Sequence, residues 1–150
     1  MDEFESDVEI LELAISREED ANKFFLKIAA RVKNPEMRKV FEDLAAEELE
    51  HKAKLELEIM KTGRVVTASE RLELEEEADN EVALEMLDVD YKDMLLMGMQ
   101  KEEISFRLYV DLAARVTDKS SHDTLLALAQ EEVKHKMRFE LEYDSLMKAG

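Results

Sequence analysis

Cysteine is absent from the 150 residues. That excludes disulfides, a thiol nucleophile, a zinc ribbon and an iron–sulfur cluster. Three glycines and one proline are too few for the many tight turns of a multi-stranded β fold. No apolar run approaches the roughly 20 residues that span a bilayer. The first ten residues, Met1 to Ile10, are acidic rather than signal-like. Basic residues are also scarce: 21 Lys and Arg face 38 Asp and Glu, a formal net charge of −17. Such a chain has little with which to displace counterions from a nucleic acid or to hold an anionic membrane. What is present is 45% hydrophobic residues, enough for a core at this length. The expectation is one cytoplasmic, all-α domain over residues 1–150, with neither nucleic acid nor membrane as partner.

Apolar residues recur at helical spacing. Phe4, Val8, Leu11, Ile15, Phe25, Ala29 and Val32 form one stripe, and Met37, Phe41, Leu44, Leu55 and Ile59 a second. Between them Asn34-Pro35 reads as an N-cap and first helical residue, and Gly63 as a helix stop. Asp90 opens a third helix along Leu95, Met99, Phe106, Tyr109, Leu112 and Val116. Asp118 caps a fourth along Leu125, Leu128, Phe139 and Leu146. Short joints make antiparallel hairpins, one over about 4–62 and one over about 90–148, with a crossover over about 63–89. Each helix of roughly 27–30 residues would be roughly 40–45 Å long. The acid-rich stretch Glu70 to Glu77 reads as a solvated face rather than a metal-collecting patch.

The chain repeats itself at an offset of 84 residues, with 15 identities in the 41 positions from 18 to 58 and no gap. Ala29-Ala30-Arg31-Val32 falls on Ala113-Ala114-Arg115-Val116, and His51-Lys52 on His135-Lys136. The sequence is a duplicated helical hairpin.

The informative residues are acids on apolar stripes. Glu18, Glu48, Glu102 and Glu132 each sit mid-stripe on one helix, and His51 and His135 follow Glu48 and Glu132 at i+3, on the same face. Four buried carboxylates repel one another and need positive compensation. Two protonated histidines do not balance four carboxylates, whereas two divalent ions do. One Glu from each of two helices plus Glu-x-x-His from each of two others is the ligand set of dinuclear sites in helix bundles. With 26 Glu in 150 residues, one Glu-x-x-His has chance odds of about one in six and two of about one in thirty. Both copies also share a spacing of 30 residues from the preceding Glu, Glu18 to Glu48 and Glu102 to Glu132.

Neighbours of these residues read more plainly. Glu19, Glu47, Glu103 and Glu131 lie one step round the helix, on a solvated face, and His122 at the surface. The nine methionines read as core filler. Tyr109, two turns beyond Glu102, reads either as a core aromatic or as a phenol bonded to a ligand or a bound oxygen species. Asn22 has Phe106 as its repeat mate, so the two halves differ around the metals. Carboxylates with imidazoles suit iron or manganese and admit zinc, and two ions about 3.5–4 Å apart can share a bridging oxygen ligand.

At these residues the chain resembles the ferritin-like di-iron carboxylate superfamily, and within it the rubrerythrin family. Ala14-Ile15-Ser16-Arg17-Glu18 with Phe24-Phe25, and Ala46-Glu47-Glu48-Leu49-Glu50-His51, are similar to rubrerythrin helices one and two. The resemblance implies an up-down-down-up four-helix bundle with the crossover between helices two and three. It implies two iron ions, with Glu48 and Glu132 bridging and Glu18 and Glu102 terminal, and reduction of hydrogen peroxide or dioxygen. It also implies a possible homodimer. Many rubrerythrins carry a four-cysteine rubredoxin-like module, which is missing here, so electrons would come from a separate donor such as a rubredoxin-like protein. Many also carry a further Glu where this chain has Ser105. A ferroxidase or iron-handling role, oxidation of an organic substrate, and a non-enzymatic metal-binding bundle remain as alternatives.

Overall fold

The computed structural model describes residues 6–61 and 90–149. Among them the regular elements are four α-helices: α1 (Asp7–Arg31), α2 (Pro35–Met60), α3 (Tyr91–Arg115) and α4 (Lys119–Ala149). Their starts follow from local capping. The Ser6 hydroxyl accepts from the Glu9 N–H, and Asn34 Oδ1 from those of Glu36 and Met37 ahead of Pro35. Asp90 Oδ1 accepts from the Asp93 N–H and Asp118 Oδ2 from that of Ser121. Each cap satisfies a donor that the first helical turn leaves unpaired. Three expected caps, Asn34, Asp90 and Asp118, are in place. The first helix begins later than the apolar stripe suggested, because Ser6 caps it, and Phe4 lies outside the described residues. The second ends at Met60, and Gly63, the crossover and the acidic 70–77 stretch also lie outside them.

Two apolar clusters fix the topology. One joins the end of α1 (Phe24, Phe25, Ile28), the start of α2 (Val40, Phe41, Leu44), the start of α3 (Met94, Leu95) and Phe139 near the end of α4. The other joins the start of α1 (Leu11, Ile15), the end of α2 (Leu55, Ile59), the end of α3 (Tyr109, Leu112) and the start of α4 (Leu125, Leu128). Hence α2 and α3 run parallel and each hairpin antiparallel, the up-down-down-up arrangement. Packing is dense within each hairpin and sparser between them, where α1 meets α3 and α2 meets α4. The Asp7 carboxylate spans the hairpins, accepting from the N–H groups of Thr117 at 3.0 Å and Asp118 at 2.9 Å. The polar residues Glu18, Glu48, Glu102 and Glu132 lie between the two apolar clusters, on the bundle axis.

Candidate metal centre

Each helix brings one carboxylate to the layer between the clusters. Glu18, Glu48, Glu102 and Glu132 are all 0% exposed, and His51 and His135 are 3% and 4% exposed. The i+3 spacing puts each imidazole on the same helix face as its Glu, directed into the carboxylate layer. His51 Nδ1 lies 3.1 Å from Glu132 Oε1, 3.3 Å from Glu18 Oε2 and 3.6 Å from Glu48 Oε1. His135 Nδ1 lies 3.2 Å from Glu102 Oε2, 3.3 Å from Glu48 Oε1 and 4.0 Å from Glu132 Oε1. All six residues proposed from sequence as metal ligands are thus brought together. They form two overlapping groups, Glu18–Glu48–His51–Glu132 and Glu48–Glu102–Glu132–His135, within each of which the ligand atoms lie within 4.8 Å of one another. Glu48 and Glu132 belong to both groups.

The electrostatics are those of four carboxylates crowded into one buried layer. Burial pushes the Glu48 carboxyl well above its ordinary range, and the charges of Glu18 and Glu132 push it further. Burial and the charge of Glu48 do the same to Glu102, and burial and the charge of Glu102 to Glu132. Burial opposes protonation of His51, but the close carboxylates of Glu132 and Glu18 prevail and raise it to about 10. His135 moves the same way, burial being outweighed by Glu48. Both oxygens of Glu48 and of Glu132, one each of Glu18 and Glu102, and His51 Nδ1 find no aligned hydrogen bond. Buried polar atoms left in this state are costly. A donor set of carboxylate oxygens and imidazole nitrogens facing a common centre fits two divalent ions of the iron, manganese or zinc type.

Tyr109 is fully buried, and its hydroxyl donates to Glu18 Oε1. Burial, then the charges of Glu18, Glu132 and Glu48, hold its pKa well above the ordinary phenol value, so it stays a neutral donor. Of the two readings of Tyr109, the hydrogen bond to a candidate ligand is the one observed. Asn22 turns elsewhere: its Nδ2 donates to the Ala45 carbonyl at 2.7 Å, tying α1 to α2.

The neighbouring acids divide. Glu19 pairs with Lys52 at 2.9 Å, Glu103 with Lys136 at 2.9 Å, and Glu131 with Lys134 at 3.3 Å; each of these acids is half-buried at the rim of the bundle rather than on the open surface expected. Glu47 is the most exposed of the four, yet it differs from them in touching a candidate ligand. Its Oε2 lies 2.6 Å from His135 Nε2, because the α2 face next to the ligand stripe forms the seam with α4. His122 is corrected too: it is half-buried, its Nδ1 2.7 Å from the Ala113 carbonyl across the α3–α4 joint. The sequence reading also missed the buried pair of Asp20 and Lys101, 2.7 Å apart between α1 and α3. The only available signal was that Lys101 directly precedes Glu102.

The rubrerythrin family model matches residues 9–143. No curated protein gives a significant match. Among solved structures, a hypothetical protein from Pyrococcus furiosus superposes with a TM-score of 0.68 at 25% identity, over 96% of this chain and 92% of that one. A protein of Thermotoga maritima, described as a candidate ferritin-like diiron-carboxylate protein, superposes with a TM-score of 0.72 at 18% identity, over 96% and 98% of the two chains. No helix among the described residues is long and apolar enough to cross a membrane. With four helices, a buried Glu and His cluster on the axis, and a family match over nearly its whole length, the chain belongs to the rubrerythrin family.

Proposed function

We propose that Glu18, Glu48, His51, Glu102, Glu132 and His135 hold two iron ions, and that the protein reduces hydrogen peroxide or dioxygen with electrons from a separate donor. The observation that carries this reading is the sharing of Glu48 and Glu132 between two four-residue ligand groups. That sharing supports bridging roles for these two carboxylates and terminal roles for Glu18 and Glu102. Two bound ferrous ions would supply the two electrons that peroxide takes in becoming water.

The residues of the chain do the rest. The apolar layers above and below keep bulk water from the carboxylates, so their charge is screened less than in water. Tyr109 fixes the orientation of Glu18 through its hydroxyl, and the Tyr109 proton stays on the phenol across the physiological range. With no cysteine in these residues, the reducing equivalents are assigned to another protein.

Iron-loaded, chemically reduced protein mixed with one equivalent of peroxide should lose its ferrous state in a rapid stoichiometric step, followed optically. A ferrous form unchanged over minutes would end the peroxidase reading. Uptake of iron well beyond two ions per chain would move the assignment to iron storage. Glu48→Ala should lose both ions, and unchanged metal content in that variant would overturn the site.

A further inference from the structure

The repeat pairs each residue of the first hairpin with the one 84 positions later, so Glu47 corresponds to Glu131, Glu50 to Lys134, Asp43 to Ala127 and Lys54 to Arg138. The seam between α2 and α4 breaks this symmetry. On one side Glu47 Oε2 reaches His135 Nε2 at 2.6 Å. On the other, Glu131 is taken by Lys134 at 3.3 Å and feels the charge of His51 only at longer range, without an ion pair. The counterpart of Lys134 is Glu50, an acid, which has no means of drawing Glu47 away. Beside Glu47, Arg138 Nη2 bridges the helices to Asp43 Oδ2 at 3.4 Å. Lys54 and Ala127 make no such bridge and instead line a surface groove of about 500 Å³ with Leu57, Leu128 and Glu131. Both histidines are buried, but the side chains that flank them across the seam differ.

We propose that Glu47 is a positioning residue for His135, and that the metal position served by Glu102 and His135 therefore binds its ion more tightly than the one served by Glu18 and His51. The inference rests on the metal-centre reading above. His135 Nδ1 faces the carboxylates and Nε2 faces Glu47. A carboxylate at Nε2 keeps the proton there, which leaves the Nδ1 lone pair directed inward and makes it a stronger donor. The approach is oblique, and His135 Nε2 has no aligned hydrogen bond in this arrangement. The Glu47 side chain is 44% exposed and can turn to align once the imidazole takes the tautomer that a metal selects. His51 lacks this support, because the exposed pair with Lys134, though weak in itself, holds Glu131 aside. Loss of such a carboxylate partner weakens metal binding roughly 10–100-fold.

Cobalt(II), titrated into metal-free protein and followed by its visible spectrum, tests this. The native protein should bind two ions in two resolved steps. In Glu47→Gln the tighter step should weaken roughly 10–100-fold while the weaker step holds. In Lys134→Ala, with Glu131 released toward His51, the weaker step should tighten. In the zinc-loaded protein, ring nitrogen NMR shifts should show a hydrogen-bonded Nε2–H on His135 that Glu47→Gln removes. A merely structural role for Glu47 would move neither the one step nor the one ring. Two steps unchanged in Glu47→Gln, or equal steps in the native protein, would overturn the inference and leave the metal centre standing. A native protein that binds no cobalt would overturn the metal-centre reading, and this inference with it.

Discussion

The rings of His51 and His135 lie parallel, 5.5 Å between centroids and 5° between planes. The two imidazoles come from antiparallel helices and follow their glutamates at the same i+3 spacing, so the internal two-fold axis runs between them. Each ring approaches the layer of the four axial carboxylates, Glu18, Glu48, Glu102 and Glu132, through Nδ1.

The buried carboxylates and His51 give the metal-free protein a distinctive pH dependence. Glu48, Glu102 and Glu132 titrate above their ordinary 4.5 in the folded state, burial being the main cause. The folded state therefore holds more protons than the unfolded chain from about pH 4.5 upward, and stability falls as pH rises through that range. His51, raised to about 10, adds stability that is full below its unfolded value of about 6.5 and is lost as pH rises toward 10. Both slopes have the same sign. Thermal melts of the metal-free protein should show Tm falling from pH 5 to pH 9. With divalent ions bound the slope should reverse, since metals compete with protons for these groups. A metal-free Tm that is flat or rises over this range would contradict the clustering of charge.

Glu48→Gln separates stability from metal binding. The change removes a charge that repels Glu18 and Glu132 while keeping the side-chain shape. The metal-free variant should be more stable than the native protein by about 1–2 kcal/mol, read by denaturant melts. It should also lose metal capacity, because Glu48 serves both ligand groups. A variant that is less stable without metal would refute the repulsion argument.

Gly98 is required by Phe139. A Cβ at Gly98 would stand 2.6–2.9 Å from three atoms of the Phe139 ring. Gly98→Ala should cost about 1–3 kcal/mol by overpacking. The repeat suggests its own remedy: the counterparts of Gly98 and Phe139 are Ala14 and Leu55, both buried. Gly98→Ala with Phe139→Leu should recover part of the loss, and strictly additive single effects in a double-mutant cycle would refute the coupling.

The Asp20–Lys101 pair, with side chains 3% and 6% exposed, should behave as a buried ion pair. Its ammonium also sits 5.1 Å from the centre of the Phe24 ring. Asp20→Ala should cost about 3–5 kcal/mol by stranding the Lys101 charge, whereas replacing both partners by apolar residues of similar size should be nearly neutral. Equal losses in the single and double variants, measured by denaturant unfolding, would argue against this.

Tyr109→Phe tests the hydrogen bond to Glu18. The repeat places Phe25 at the corresponding position, so the bundle accepts a phenylalanine ring there. The expected loss is about 1 kcal/mol in the metal-free protein. A weaker affinity should appear in the metal-binding step that involves Glu18 and His51. A variant whose metal binding and melting both match the native protein would remove Tyr109 from the site.

The sequence by itself determined the four helices, three of the caps, the repeat and the six residues that gather in the candidate metal centre. These rest on local rules: which side of a helix a residue faces, and what caps its first turn. An acid on an apolar stripe is legible because burying it without compensation is so costly. The tertiary structure alone decided the Tyr109–Glu18 bond, 91 residues apart, and the Asp20–Lys101 pair, 81 apart. It also decided which of two equivalent acids, Glu47 or Glu131, meets a histidine. Those contacts depend on the rotation and register of one hairpin against the other. That register is set by the sparse contacts between hairpins, which a helical period does not encode.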